Sequence, residues 1–251
     1  EGLQQYPVHI EIETGMNRLG FGVSDIDKLA GALNATSSFK VQSVFSHLAA
    51  SEEAAQDAFT ARQFEQFEKA ALQLEQMLGY SFIRHIANSA AVIRHPQLQL
   101  DMVRLGIGLY GVDSAASNKL DLQTVTTLKS TVAQVKQLKK GDSVSYNRKG
   151  IVNNDAVIAT VRIGYADGYP RRLGNGAGKA FINGQLVPVI GTVCMDMFMI
   201  DVTGVPVQEG DEVMIFGKQL PVQQVAEWAG TIAYEIMTGI SQRVKRVYFE
   251  E

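Results

Sequence analysis

The sequence lacks the cysteine pairs of a secreted disulfide-bonded protein and the strong net charge of a nucleic-acid-binding protein. Its single cysteine, Cys194, excludes an internal disulfide framework and is typical of a reducing compartment, so we predict a cytoplasmic protein. The formal net charge is only -3, which gives no reason to expect nucleic acid or an anionic membrane as a partner. No apolar run approaches the length of a membrane span, and no signal peptide is visible. The 46% hydrophobic and 20% charged residues indicate a globular protein.

The first half of the sequence alternates between predicted strands and predicted helices. Val8, Ile10 and Ile12 alternate with polar residues, which is typical of a strand with one apolar face. The pattern predicts further strands at 39–45, 81–87 and 102–110, and helices at 24–34, 52–78 and 89–94. Four such strand–helix units are about half of an eight-stranded barrel, which needs about 250 residues. Because a half barrel leaves two exposed edges, either the sheet is open or a partner segment is missing.

The second half changes to short strands joined by tight turns. Asn183-Gly184 between apolar residues is the strongest hairpin signal, because both central residues of a type I′ turn need positive φ. Further strands are predicted at 125–138, 143–146, 156–163, 212–216 and 244–249, with helices at 222–228 and 231–240. With a polar linker at 113–118, the predicted domains are 1–118 and 119–251. The predicted fold is α/β plus β: the second half of a (β/α)8 barrel followed by a C-terminal β-rich, barrel-like domain.

Several polar or glycine residues fall at or just past the ends of predicted strands, where barrels carry their working residues. They are Arg18, His47, Asn88, Ser89, Arg104 and Gly106. Ser89 also opens a helix, and barrels often hold a phosphate after their last two strands. Each residue has a structural alternative: Ser89 as a helix cap, His47 as a core histidine, and Arg18 as a partner in a loop ion pair.

Six segments of the chain closely resemble the alanine racemases, in order and in spacing. They are 9–21 (HIEIETGMNRLGF), Asn88-Ser89-Ala90-Ala91, 101–111 (DMVRLGIGLYG), Val144-Ser145-Tyr146, 163–168 (IGYADG) and Cys194-Met195-Asp196. The resemblance implies a barrel that binds pyridoxal 5′-phosphate, followed by a β domain, and a reaction that interconverts L-alanine and D-alanine for peptidoglycan. It also implies a head-to-tail homodimer whose active sites lie between the barrel of one subunit and the β domain of the other.

Carried over position by position, the resemblance implies three catalytic residues. Tyr146 matches the tyrosine that acts as acid and base on one face of the cofactor. Arg104 matches the arginine that hydrogen-bonds the pyridine nitrogen, and His47 resembles the histidine that links that arginine to the tyrosine. The implied cofactor-binding residues are Arg18, His47, Asn88, Ser89, Arg104, Gly106, Ile107 and Tyr234. The implied substrate-binding residues are Arg18, Tyr165, Met195 and Asp196, and no metal site is predicted.

The residue types agree with that chemistry. Racemisation removes a proton from one face of Cα and returns one to the other face, so it needs two acid/base groups. A phenol ionises only near pH ~10 on its own, so a tyrosine that acts as a base needs cationic neighbours, which His47 and Arg104 can supply. Because an arginine does not give up its proton, Arg104 keeps the pyridine nitrogen unprotonated, which limits transamination.

The sequence departs from the family pattern in two places. None of its lysines stands in a motif matching the lysine that binds the cofactor covalently, which the family carries in an early segment. Since the chain starts at Glu1 without an initiator methionine, we expect that lysine upstream and expect this chain alone to be inactive. Glu11 stands where many relatives have a carbamylated lysine that braces the arginine matching Arg18. We expect Glu11, with or without help from Glu13, to contact Arg18 or a bound cation; the alternative is an exposed edge glutamate with no role.

Two other functions stay open at this point. A related pyridoxal-phosphate decarboxylase also joins a barrel to a β domain, but such decarboxylases carry a different cysteine-bearing motif from Cys194-Met195-Asp196. The other possibility is a non-catalytic module for dimer formation or regulation, or the racemase part of a fusion.

Overall fold

The computed structural model describes residues 2–115 and 120–249, and the chain divides into two compact units. The first unit comprises Glu1–Gln123 and the second Thr124–Glu251. The predicted domain boundary between 118 and 119, and the end of the predicted linker, lie outside the described residues. None of the helices within the two described ranges is long and apolar enough to cross a membrane.

The first unit contains a parallel sheet with helices between its strands. Its strands are β1 (Tyr6–Glu13), β2 (Phe21–Gly22), β3 (Phe39–Phe45) and β4 (Ile83–His85), and its helices are α1 (Ile26–Asn34), α2 (Asp57–Leu78) and α3 (Ser89–Arg94). The strand order is β2-β1-β3-β4, and every pairing is parallel. The predicted repeat of strand and helix is therefore confirmed for β1, β3 and β4.

The predicted strand at 102–110 is wrong. Backbone hydrogen bonds hold the segment beside β4, one of them from the Arg104 N–H to the Ala87 carbonyl oxygen at 3.0 Å. No ladder forms there, and Ile107–Tyr110 is a 3₁₀ helix. Gly106 has φ -115° and ψ -101°, which lies outside the β region and ends the extended segment.

Alternation along β1 separates the two faces of the sheet. Ile10 and Ile12 belong to one buried apolar cluster with residues of α1 and α2. Each buried isoleucine contributes about 1.5–3 kcal/mol, so this face of the strand is strongly specified. The register between β1 and β3 skips Gln42, so that Ser43 pairs with His9 and shares its face. This bulge places a serine on the polar side of the sheet.

The second unit is a closed antiparallel barrel. Its strands are β5 (Leu128–Leu138), β8 (Ala156–Val161), β9 (Lys179–Ile182), β10 (Gln185–Ile190), β11 (Phe198–Asp201) and β12 (Glu212–Phe216), and β6 (Ser143–Val144) pairs separately with β7 (Gly150–Ile151). The barrel order is β10-β11-β8-β5-β12-β9. Helices α4 (Val222–Trp228) and α5 (Ala233–Thr238) follow. The predicted β-rich domain is confirmed as a barrel.

One turn prediction in this unit is confirmed, and one strand prediction is wrong. The Asn183-Gly184 hairpin is confirmed, with φ of 46° and 81° at the two residues and Ile182 paired with Gln185. The predicted last strand at 244–249 is wrong, because these residues are irregular and find no pairing strand in the described part of the unit. Tyr248 in that segment is exposed, so no packing specifies a strand there.

Candidate active site

A chain of hydrogen bonds crosses the polar face of the first unit's sheet. Ser43 Oγ lies 2.6 Å from His9 Nδ1 and 3.1 Å from His85 Nε2. His85 Nδ1 accepts a hydrogen bond from Nη1 of Arg104 at 2.7 Å. Because the guanidinium only donates, neutral His85 carries its proton on Nε2 and donates it to Ser43, which in turn donates to His9. The chain therefore fixes both the tautomer and the orientation of His85.

The guanidinium of Arg104 is held by four acceptors. Nη1 donates to Nδ1 and to the carbonyl oxygen of His85, the latter at 3.2 Å. Nη2 donates to the carbonyl oxygens of Ser46 at 2.7 Å and Ile86 at 3.3 Å. The ring of Phe45 lies against the group, 5.2 Å from Cζ to the ring centroid. These contacts occupy the four Nη hydrogens, so the N–H of Nε is the donor that remains for a ligand among the described residues.

Burial and neighbouring charge lower the pKa of two histidines of the site, His85 and His47. Burial, and then the positive charge of Arg104, lower the pKa of His85 to about 4. Burial, followed by the charges of Arg18 and Arg104, also lowers the pKa of His47. His47 is therefore within electrostatic reach of both arginines, although no hydrogen bond to Arg104 is found for it in the described part of the chain. Its role as a link to the tyrosine stays a prediction.

The lowered pKa of His85 predicts a specific loss of stability in acid. The unfolded chain binds a proton at this histidine near pH ~6.5, whereas the folded chain does so only near pH 4, so stability falls as the pH drops between these values. The full effect is about 3 kcal/mol. We expect a histidine NMR titration to show His85 still neutral at pH 5, and His85→Gln to flatten the acid side of the stability profile. A His85 signal that titrates near pH 6.5 would contradict the buried arrangement.

The side chain of Ser89, in the first turn of α3, accepts backbone hydrogen bonds from the segment 106–108. Its Oγ accepts from the backbone N–H of Gly106 at 2.9 Å and of Gly108 at 3.4 Å. Asn88 is the N-cap of α3, and its Oδ1 accepts from the N–H of Ala91 at 3.0 Å. Ser89 is thus not the cap itself, and its hydroxyl sits where two backbone N–H groups converge. Because both N–H groups donate to Oγ, the O–H of Ser89 is the donor that can bind an anionic oxygen.

The expected pairing of Glu11 with Arg18 is not present. No ion pair joins Arg18 to Glu11 or to Glu13 within residues 2–115. The negative charge of Glu11 acts on Arg104 instead: burial lowers the pKa of Arg104, and Glu11 partly offsets that shift. The register explains this, since Glu11 pairs with Phe45, whose ring lies against Arg104. A bracing role of Glu11 toward Arg18 has no support in this geometry.

In the second unit, Tyr146 begins the 3₁₀ turn Tyr146–Arg148 and does not lie in a strand. Ser145 before it has φ 70°, and its Oγ donates to the carbonyl oxygen of Thr192 at 2.6 Å. A Cβ at Gly191, which has φ 71°, would lie 2.7 Å from a carbonyl oxygen of β6, so only glycine fits there. These contacts attach the turn to the loop between β10 and β11 (residues 191–197, the β10–β11 loop) and leave the tyrosine side chain 65% exposed.

The β10–β11 loop also holds Tyr165. The backbone N–H of Tyr165 donates to the carbonyl oxygen of Cys194 at 3.1 Å, and that of Ala166 donates to Met195 at 2.9 Å. Gly164 has no room for a side chain, because a Cβ would collide with these same two carbonyl groups. The side chains of Tyr165 and Met195 are exposed. The three sequence segments that carry the family resemblance in this unit therefore meet at one loop.

Comparison with known proteins identifies the family. Family models match the chain in two parts: the alanine racemase N-terminal domain over residues 2–114 and the alanine racemase C-terminal domain over residues 125–248. The alanine racemase of Desulforamulus reducens is 41% identical over 254 residues, which cover 98% of this chain and 67% of that protein. The chain belongs to the alanine racemase family. Alanine racemase 1 of Clostridium acetobutylicum is 40% identical over 256 residues and 97% of this chain, which spans 65% of that relative's length.

Solved alanine racemase structures have the same fold. The enzyme from a D-cycloserine-producing Streptomyces lavendulae superposes with a TM-score of 0.92 at 32% identity, over 99% of this chain and 67% of that one. The Bartonella henselae enzyme, with covalently bound pyridoxal phosphate, gives 0.87 at 31% identity, over 97% and 66%. The prediction of a partial barrel followed by a β-rich domain is confirmed.

The structure brings together some of the predicted racemase residues and adds others. The charges of Arg104 and Arg18 both act on His47, the N–H of Gly106 donates to Ser89, and Ile107 begins the adjoining 3₁₀ helix. Tyr234 lies on α5 in the second unit. His85 and Ser43 also belong to the site, although neither was among the residues predicted from the sequence. A signal was available, because His85 lies near the end of the strand predicted at 81–87, three residues before Asn88.

Proposed function

We propose that the complete protein interconverts L-alanine and D-alanine with pyridoxal 5′-phosphate as its cofactor. Family membership supports the proposal, and the structural observation that carries it is the fixed guanidinium of Arg104. One N–H of a permanent cation, oriented by four protein acceptors, suits an acceptor atom in the plane of a ring. An unprotonated pyridine nitrogen is such an acceptor. A ring nitrogen that needed protonation would instead require a carboxylate at this position.

The neighbouring residues fit the other end of the cofactor. The Gly106 N–H donates to Ser89 Oγ, which orients the Ser89 hydroxyl so that its O–H can donate to a phosphate oxygen. In the proposed site, Asn88, Ile107 and Tyr234 complete this phosphate-binding group.

The bound cofactor supplies an electron sink for the pair left on Cα when its proton is removed. In the proposed mechanism, Arg104 holds the ring nitrogen unprotonated, which weakens that sink and suppresses transamination. Tyr146 carries a proton on its phenolic oxygen and exchanges it with one face of Cα. Arg18 attracts the substrate carboxylate, while Tyr165 and Met195 limit the space around it. His47 lies close enough to Arg18 and Arg104 to sense both charges.

We further propose that no lysine of the first unit's described residues is the covalent cofactor ligand. Lys28 and Lys69 are exposed on α1 and α2, and Lys40 is exposed near the start of β3, away from the strand end that carries the site. We therefore expect that borohydride reduction of this 251-residue chain with pyridoxal phosphate labels no single lysine preferentially. Mass spectrometry of the digested chain measures this. One dominant labelled lysine, together with D-alanine formation, would contradict the prediction.

We propose that the active enzyme is a homodimer in which Tyr146 and Arg104 of one site come from different subunits. The large exposed fraction of Tyr146 on its own unit supports this arrangement. Mixing Tyr146→Phe and Arg104→Lys proteins under exchange conditions is then expected to restore about one quarter of the sites, since half of random dimers carry one intact site. Activity assays before and after mixing give the comparison. Failure to regain activity, with exchange verified by mass, would contradict a shared site.

Growth without D-alanine tests the proposed function in a cell. A bacterium that lacks its own alanine racemase needs added D-alanine for peptidoglycan. We expect the complete protein, acting in the cytoplasm, to let such a strain grow without it. The Tyr146→Phe protein at equal abundance is the control and is expected to fail. Continued dependence on D-alanine with the folded, cofactor-loaded wild-type protein would favour the decarboxylase or the non-catalytic alternative.

A further inference from the structure

Two adjoining loops of the second unit present carboxylates beside each other. The turn 164–168 carries Asp167, whose side chain is 14% exposed, and the β10–β11 loop carries Asp196, which is 55% exposed. Asp167 Oδ2 accepts the backbone N–H of Gly164 at 2.9 Å, which fixes that carboxylate within its own turn. Two negative charges on touching loops repel each other unless they share a cation.

One guanidinium from the C-terminal segment joins these carboxylates. Nε of Arg243 donates to Asp167 Oδ1 at 2.7 Å, and Nη2 donates to Asp196 Oδ1 at 2.6 Å. The backbone strengthens the same attachment, because the N–H of Ser241 donates to the carbonyl oxygen of Asp167 at 2.9 Å. The bonds to Asp167 and then Asp196 raise the pKa of Arg243, so the shared guanidinium stays charged.

The geometry of this contact distinguishes it from an ordinary surface ion pair. An exposed pair usually contributes little, because water screens it and two side chains must be ordered. In this contact one planar group makes both bonds at short distance, so the two carboxylates have one relative placement. The backbone hydrogen bonds from Tyr165 and Ala166 to the β10–β11 loop close the same contact. Arg243 therefore bridges the two loops that carry Tyr165 and Asp196, in addition to their backbone hydrogen bonds.

We propose that Arg243 is a positioning residue of the active site. It clamps the turn 164–168 to the β10–β11 loop, and it compensates the negative charge of Asp196 where the substrate carboxylate arrives. The second part rests on the proposed function, in which Asp196 lines the alanine site. With Arg243 in place the three side chains carry a net charge of -1, from two carboxylates and one guanidinium, whereas without it they carry -2. The larger charge repels the carboxylate of alanine.

The test compares Arg243→Gln with Lys245→Gln in the complete holoenzyme. Lys245 belongs to the same segment and has no ion pair among the residues described. Its replacement by glutamine removes one positive charge, as Arg243→Gln does, but breaks no such contact. Hydrogen–deuterium exchange reports the clamp without any activity. We expect exchange at the Tyr165 and Ala166 amides to accelerate about tenfold in Arg243→Gln and to stay unchanged in Lys245→Gln. Arg243→Lys, which keeps the charge but loses the planar fork, is expected to give an intermediate rate.

Kinetics report the charge compensation separately. We expect Arg243→Gln to raise KM for alanine about tenfold with kcat changed less than about twofold, and the increase to shrink at high salt. In Arg243→Gln combined with Asp196→Asn, the extra negative charge is gone, so KM is expected to return toward the wild-type value while amide exchange stays fast. If Arg243→Gln does not fold, Asp196→Ala removes the acceptor of one of the two bonds on an exposed side chain and is expected to speed exchange at Ala166.

Each outcome decides one part of the proposal. Wild-type exchange rates at both amides in Arg243→Gln, or in Asp196→Ala if that variant is needed, would overturn the clamp. Fast exchange with an unchanged KM would overturn the charge compensation. An inactive wild-type holoenzyme would contradict the proposed function and the charge compensation with it, while the exchange rates would still decide the clamp.

Discussion

Replacing Tyr146 with phenylalanine in the complete protein is expected to lower alanine racemisation by about 100- to 10,000-fold, the usual contribution of a general acid–base group. Cofactor binding should survive, because the contacts that hold the turn are made by Ser145 and Gly191 and not by the phenol. The tyrosine side chain is largely exposed on its own unit, so removal of one hydroxyl leaves the fold of that unit unchanged.

The loss is expected to be unequal in the two directions of proton transfer. Tyr146 serves one face of Cα in the proposed mechanism, so the variant should still exchange the α-proton of one enantiomer with solvent while failing to deliver a proton to the other face. Deuterium incorporation into L-alanine and D-alanine, measured separately, gives the comparison. Tyr248→Phe is the matched control, since Tyr248 is an exposed tyrosine outside the site. Near wild-type rates for Tyr146→Phe would remove the tyrosine from the mechanism.

Arg104→Lys is expected to reduce both cofactor affinity and stability, although it keeps the positive charge. An ammonium has three donors and cannot span the four acceptors supplied by His85, Ser46 and Ile86. At least one buried acceptor then loses its partner, which costs about 1–3 kcal/mol of folding free energy. The Nε donor, which faces the cofactor ring in the proposed site, is also lost, so we expect cofactor affinity to fall about tenfold or more.

The control for Arg104 is Arg84→Lys. Arg84 lies on β4, beside the segment that carries Arg104. It forms a partly exposed ion pair with Asp101 at 3.7 Å, which a lysine can also make. A second variant, Arg104→Glu, tests the role of the cation, because a carboxylate would favour a protonated ring nitrogen and so increase transamination. Cofactor titration, thermal unfolding and pyruvate formation are the measurements. Cofactor affinity and transamination that stay at wild-type levels in both variants would reduce Arg104 to a structural residue.

Local sequence rules predicted the fold wherever side-chain pattern and backbone conformation agreed. The alternation from Val8 to Ile12 and the Asn183-Gly184 turn are of this kind. Burial of one strand face fixes which side chains point inward, and positive φ at both turn residues fixes the hairpin turn. The apolar run at 102–110 reads as a strand, but the backbone angles at Gly106 end it. The bulge at Gln42 has no local signature, because it arises from the pairing of β3 with β1.

The site was predictable in its residue types and less so in its contacts. Ser89 and Gly106 were expected together and lie 2.9 Å apart from Oγ to N. The histidine that bonds Arg104 is His85, which no motif marks, because the contact depends on β4 lying beside β3. Glu11 was expected to contact Arg18, but strand register directs its charge toward Arg104. Sequence motifs therefore indicated which residues form the site, and sheet register decided which of them meet.

The measurement that tests the central claim most directly is the approach to equilibrium from both enantiomers. L-alanine and D-alanine have equal free energies in water, so a racemase must bring either one to an equimolar mixture, with equal kcat/KM in the two directions. We expect the complete protein with pyridoxal phosphate to reach this end point from both sides, as measured by chiral chromatography. Formation of ethylamine and carbon dioxide, or alanine that stays enantiomerically pure with folded, cofactor-loaded protein, would contradict the account.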